Sequence, residues 1–372
     1  MKTKRIYFVL ALLGFISWSC TNSDLTSQAS LKTSINTGAQ SLTTAMNSIT
    51  ASSGYQVLAN SGLSNSPSLM ASSTGTSSFG RTMDTISLSD IAGIYDYKAA
   101  KYKRWHPELF NFFEKTGTNS DFIVKLPETK VTHPGTLLRF TPADTTLVNN
   151  YVIDVSKYNY EFGRYLWNYS FASSITISNI SVGALTILSS RNKTNGQHFS
   201  SDFAFANGCD AKASYSSGDT IMSDYSISKG ATTYFEENFT SIKNDTARWH
   251  REKQYSLTIG NVKIVRNPTP HNNGLDSAKV YVNNILQTKA TVQIIDVNKT
   301  DTTEFSVISH NRDLKITFDD GTTTTVSQLL GSTITDVRTL FTSLRQVYFA
   351  TNVVDWVAWD IAMNKNNMGM GK

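Results

Sequence analysis

The sequence predicts an α+β, β-dominated fold: a large antiparallel meander sheet, curved or half-barrel, with N-terminal and C-terminal amphipathic helices packed on it. Three observations carry that expectation. Apolar and polar residues alternate through the middle of the chain, the pattern of strands that bury one face. Of the seven prolines none lies between Pro142 and Pro268, so no missing N–H interrupts a ladder there. On either side of that interval the apolar spacing lengthens to three or four residues, the helical period.

The chain opens MKTKR and continues with the uncharged run IYFVLALLGFISW at 6–18. A helix needs about 20 apolar residues to span a bilayer, so this run is too short for a stable anchor. Cations followed by a short apolar stretch have the proportions of a secretory signal peptide, placed at 1–19. Residues 20–86 read as a Ser/Thr-rich tether. Within it Leu31, Ile35, Ala39, Leu42, Met46 and Ile49 share one helical face, which predicts a docking helix over 27–51. The stretch ANSGLSNSPSLMASSTGTSSFG at 59–80 reads as a flexible connector.

Residues 87–364 read as a single β-rich domain, with 365–372 a disordered tail. HPELFNFFEKTG, 106–117, has a helix-like start at Pro107 and a stop at Gly117. SDFIVKLP and GTLLRFTP read as strands closed by proline. Alternation then takes over: Tyr151, Ile153 and Val155, then Tyr158, Tyr160 and Phe162, then Tyr165, Trp167, Tyr169 and Phe171. Phe203 with Phe205, and Tyr255 with Leu257 and Ile259, repeat the pattern. NKTNG, SSGD and SKGA separate these runs as hairpin turns, and FDDG places Asp320-Gly321 at another tip. Finally Val337, Leu340, Phe341, Leu344, Val347 and Tyr348 share a face, continued by Val354, Val357 and Ile361, which predicts a long helix over 336–364.

Composition narrows the function classes. Aromatic residues at 11% and charged residues at 17% suit a β-rich extracytoplasmic body. The formal charge of +5 includes Lys2, Lys4 and Arg5 of the leader, so the mature body is nearly neutral and gives no electrostatic reason to bind nucleic acid. The basic cluster YKAAKYKRWHP reads as a solvated face. Cys20 and Cys209 are the two cysteines, too few for a disulfide framework.

No pattern announces catalysis. The six histidines lack metal-ligand spacing. No Gly-x-Ser-x-Gly elbow and no glycine-rich phosphate loop occurs. Glu236 and Glu237 are adjacent in a strand and point to opposite faces, so they do not form a carboxylate pair. His250 and Glu252 share a face, as surface strand residues commonly do. DVNKTDTTE and FDDGTTTT are better explained as turns than as calcium loops. The expectation is a protein that is not an enzyme, with no catalytic residues, metal site or cofactor.

The aromatic row Tyr158, Tyr160, Phe162, Tyr165, Trp167 and Tyr169 is the candidate binding surface, since Tyr and Trp give large amphipathic contacts to lipids, sugar rings or proteins. The alternative is that the terminal helices cover the same face and the row is core.

Two resemblances add to this reading. Cys20, in FISWSCTNSD, stands just past the signal peptide and resembles the bacterial lipoprotein pattern, with Ser17 where a leucine is usual. The resemblance implies acylation (palmitate) of Cys20 and a lipid anchor. Six tripeptides of Asp, then Ser or Thr, then a small or apolar residue or Thr resemble the O-glycosylation signal of exported Bacteroidota proteins. They mark Thr85, Thr145, Thr220, Thr246, Ser277 and Thr302 as candidates, and turn chemistry explains them as well.

The chain as a whole resembles an exported lipoprotein of that phylum. Only Asp24 follows Cys20 closely, which favours the periplasmic side of the outer membrane over the cell surface. The expected function is a lipid-anchored, non-catalytic cell-envelope lipoprotein binding a hydrophobic ligand, lipid or glycan on its broad sheet. The layout resembles that of half-barrel lipoprotein carriers. The alternative is a structural or protein-interaction component of the outer membrane without a small-molecule ligand. A continuous apolar cavity would favour the first, and a filled core with polar faces the second.

Overall fold

The computed structural model describes residues 30–62, 84–98, 113–132, 147–163, 166–194, 196–243, 250–267, 278–296, 312–345, 353–355, 357–359 and 361–362. Residues 1–29, with the signal peptide and Cys20, lie outside them, as do GTLLRFTP and most of the basic cluster.

The first helix, α1 (Leu31–Thr50), starts where Ser30 accepts a hydrogen bond from the Thr33 N–H at 3.2 Å. That cap satisfies one of the donors a helix start leaves free. The six apolar residues expected on one face, Leu31, Ile35, Ala39, Leu42, Met46 and Ile49, are all buried. A second helix, α2 (Ser53–Gly62), runs into the stretch expected to be a connector. Val57 and Leu58 are buried and hold it, a pair too short to show a period in the sequence.

Next come β1 (Asp84–Ser87), α3 (Leu88–Ile91), β2 (Gly93–Tyr97), β3 (Phe113–Gly117), β4 (Phe122–Leu126) and α4 (Glu128–Thr132). The helix expected over 106–117 is a strand in its described part. β3 pairs with β2, and Phe113 meets Tyr97 edge-on at 5.8 Å, so sheet pairing and ring contact override the local helix signal. The central strands are β5 (Tyr151–Phe162), β6 (Trp167–Ile177), β7 (Ile180–Asn192), β8 (Gly196–Phe205), β9 (Cys209–Ser217) and β10 (Thr220–Lys229). They continue with β11 (Thr232–Lys243), β12 (His250–Ile259), β13 (Val262–Arg266), β14 (Lys279–Val282) and β15 (Ile285–Leu286).

These fifteen strands form one open sheet. From β4 to β15 spatial order follows sequence order and all neighbours are antiparallel, the expected meander. The meander breaks at one margin, where β2 lies parallel to β4 and β3 sits outside β2. β5 bulges between Val155 and Lys157, and this divides its free side. Its first half, 151–155, pairs with β4, and Asn159–Phe162 pair with β1.

A small second sheet follows, of β16 (Thr291–Asp296), β17 (Arg312–Thr317) and β18 (Thr323–Thr325), with Asp320-Gly321 at the β17–β18 turn as expected. Two helices follow, α5 (Val326–Leu330) and α6 (Thr333–Arg345). The long helix expected over 336–364 is seen as α6 and then as helical residues at 353–355, 357–359 and 361–362.

Three of these helices lie on one face of the large sheet. α1 crosses β11, β12 and β13, α2 contacts β7, and α6 lies over β8 and β9. Phe203, Phe235, Tyr255, Leu42 and Phe341 are under 2% exposed in the layer between. The other face is polar. One row across it reads Asn159, Ser170, Leu188, Ser200, Ser214, Asp224, Asn238 and Ser256 in register. Its members bond along the row, with Ser214 donating to Asp224 at 3.0 Å.

The closest helix-to-sheet approach has no room for a side chain. A Cβ on Gly38 of α1 would sit 2.6 Å from the carbonyl oxygen of Ile259, and one on Gly260 would sit 2.8 Å from the Gly38 Cα. Gly260 turns β12 into β13 at φ +59, in the left-handed region. Gly38→Val is expected to destabilise the protein by about 2 kcal/mol or more through overpacking. The exposed neighbour Thr37→Ala should stay within about 0.5 kcal/mol in the same urea titration.

Candidate functional site

The aromatic row sits where β5 and β6 face the C-terminal segment. Parity puts Tyr158 and Tyr160 of β5, and Tyr169 and Phe171 of β6, on the inner face. There Tyr158, Tyr160 and Tyr169 are buried, at 3%, 5% and 6% exposure. Val353, Val354, Asp355, Val357, Ala358 and Ile361 are buried on the segment that covers them. Trp359 stands edge-on to Tyr160 at 5.6 Å between ring centres.

An open platform of six aromatic residues is therefore not what forms. The terminal helical residues seal Tyr158, Tyr160 and Tyr169 into the core, which is the alternative the sequence left standing. Trp167 is half-buried against Tyr160 at 5.4 Å. Phe162 lies past the cover, 52% exposed with its ring 6.1 Å from Trp167. Tyr165 lies outside the described residues.

At the centre of this contact is a group the sequence reading missed. Asp355 is 5% exposed, and its Oδ1 accepts hydrogen bonds from the Tyr158 hydroxyl at 2.9 Å and the Tyr169 hydroxyl at 3.2 Å. Burial raises its carboxyl to about 7, and the two tyrosine bonds act the other way. The same burial, with the carboxylate nearby, pushes both tyrosine hydroxyls well above their ordinary value. A signal existed: Asp355 is an acid inside the apolar run VVDWVAW, where a helix must bury nearly every side chain.

The other acidic candidates are held by structural partners. Glu237 is 1% exposed and accepts from the Tyr255 hydroxyl at 2.8 Å, and Glu236 points to the opposite face. Glu252 pairs with Arg266 at 2.9 Å, so it is tied to the neighbouring strand; the His250 side chain lies outside the described residues. Asp320 accepts from Thr322 and Lys32, bonds that hold its carboxyl down to about 2 and fix the turn expected there. Cys209 is buried and free, its thiol raised by burial.

Among the described residues no group of three His, Cys, Asp or Glu is placed to hold a metal ion, and no helix is long and apolar enough to cross a membrane. Of the candidate glycosylation residues Thr85 and Thr220 are exposed, and Thr145, Thr246, Ser277 and Thr302 lie outside the described residues. No family model matches the chain, and neither a curated protein nor a solved structure is detectably similar to it.

The Glu252–Arg266 pair is nearly sealed, with side-chain exposures of 12% and 9%. Removing one member leaves a buried charge, so Glu252→Ala should cost about 3 kcal/mol by chemical denaturation. Phe162→Ser is expected to change stability by under about 0.5 kcal/mol, because the ring already faces solvent.

Proposed function

We propose that this chain is an exported, lipid-anchored cell-envelope protein, non-catalytic, acting as a structural or protein-interaction component. The observation that carries the reading is the asymmetry of the sheet. Its inner face is filled by core side chains and covered by helices, and the aromatic row is part of that filling. Its outer face presents Ser, Thr, Asn and paired charges such as Lys212–Asp202 at 3.1 Å. A broad, hydrogen-bonding surface suits a wet interface with another envelope component. Acylation at Cys20 would hold that surface at the outer membrane, with the periplasmic side favoured. Exposed Thr85 and Thr220 are open to O-glycosylation.

The ligand-binding reading keeps one supporting observation. Phe162 and half-buried Trp167 leave an aromatic margin at the end of the β5–β6 hairpin, a place where an apolar ligand or sugar ring would lodge.

Two measurements test the proposal. In a bacterial host with lipoprotein processing, the wild type should take up labelled palmitate and fractionate with membranes. Cys20→Ser should lose both; an unlabelled wild type would refute the anchor. For the interface, a photo-crosslinking residue placed at Ser200 or Ser214 on the outer face should capture a discrete envelope protein in cells. Silence from both positions, with capture from Phe162, would transfer the function to the aromatic margin.

A further inference from the structure

The covered aromatic row and the buried acid on its cover form one device. The segment carrying Asp355 bonds to the sheet through that carboxylate, which accepts from the Tyr158 and Tyr169 hydroxyls. Apolar contacts hold it as well: Val353, Val354, Val357, Ala358 and Ile361 are buried, with Trp359 on Tyr160. Such contacts are indifferent to pH. The titratable groups that act on Asp355 are Tyr158 from β5 and Tyr169 from β6, each of which also feels Tyr160, and no cation among the described residues balances its charge. A charged carboxylate with neutral donors alone is poorly compensated in a buried site.

We propose that the segment whose described residues are 353–355, 357–359 and 361–362 is a releasable cover on the inner face of β5 and β6, fastened through protonated Asp355 and loosened when that carboxylate ionises. Release uncovers Tyr158, Tyr160, Tyr169 and Phe171, the buried stretch of the aromatic row. The device is independent of the lipid anchor and of the polar outer face.

The direction follows from linkage. The docked carboxyl titrates at about 7 and the released one near its ordinary 3.8. The docked state therefore binds the proton more tightly, and docking is strongest below the released value. It weakens as pH rises through the interval and levels off above the docked value. From about pH 4.5 to about pH 7.5 the docking constant should fall on the order of a hundredfold.

Hydrogen exchange of the full mature protein, corrected for the intrinsic pH dependence of exchange, reads this directly. Protection of the terminal segment should fall by that factor across the interval, with β8 and β9 unchanged. Asp355→Asn should make the segment's protection independent of pH. Tyr169→Phe removes a donor that favours the carboxylate, so it should move the upper end of the transition to higher pH. That second variant decides the matter if the first does not fold. Protection that is flat in the wild type would overturn the proposal. So would a fall shared equally by β8 and β9, because the segment would then open only with the whole fold.

Discussion

Everything in this fold depends on covering one face of an open sheet. Fifteen strands without closure leave two broad faces, and alternation makes only one of them apolar. An apolar face of this size cannot stay in water. The helices that cover it come from before the strands and from after them, and they meet over the sheet. Thr43 of α1 and Thr333 of α6 share a hydrogen bond at 2.9 Å. α2 and α6 also pack on one another. The cover is thus a small helical layer in its own right, joined through contacts between segments far apart in the chain.

Charge is admitted to that layer only at a few joints. Glu237 and Tyr255 bond to each other beneath the helices, and half-buried Arg338 of α6 feels both Asp313 and Glu237. Asp313, in turn, accepts from the Ser327 N–H at 3.1 Å and ties the start of α5 to the small sheet. Glu252 and Arg266 close the far strands. Each of these carboxylates has a cation close at hand. Among the described residues Asp355 is met by the Tyr158 and Tyr169 hydroxyls and by no cation, and that difference sets it apart as a point of sensitivity rather than strength.

Much of this was legible in the sequence, for reasons that are local. Period two from Tyr151 onward fixes which residues face inward, and the Gly-containing turns fix hairpins, so the meander followed from pattern alone. The six residues of the α1 face were readable for the same reason. What was not legible depended on partners distant in sequence. Phe113–Gly117 carries a helix-like approach and becomes a strand because Tyr97 and β2 are there to receive it. α2 buries Val57 and Leu58, a pair too short to show a period. The aromatic row could be assigned to a face but not to core or surface, because that turned on whether residues past 353 lay across it. Asp355 was hidden by the same gap: a buried acid is recognised by what surrounds it.

The Thr43–Thr333 and Lys32–Asp320 contacts join positions 290 and 288 residues apart. Contacts of that separation carry the largest loop-closure cost and form late. A chain synthesised N-terminus first must therefore wait, with α1 already made and its apolar face unsealed, until the residues past 333 follow. For that interval the molecule is a half-finished sheet with a greasy side. The polar Ser/Thr/Asn face is the side that such an intermediate can leave in water until the layer of helices assembles.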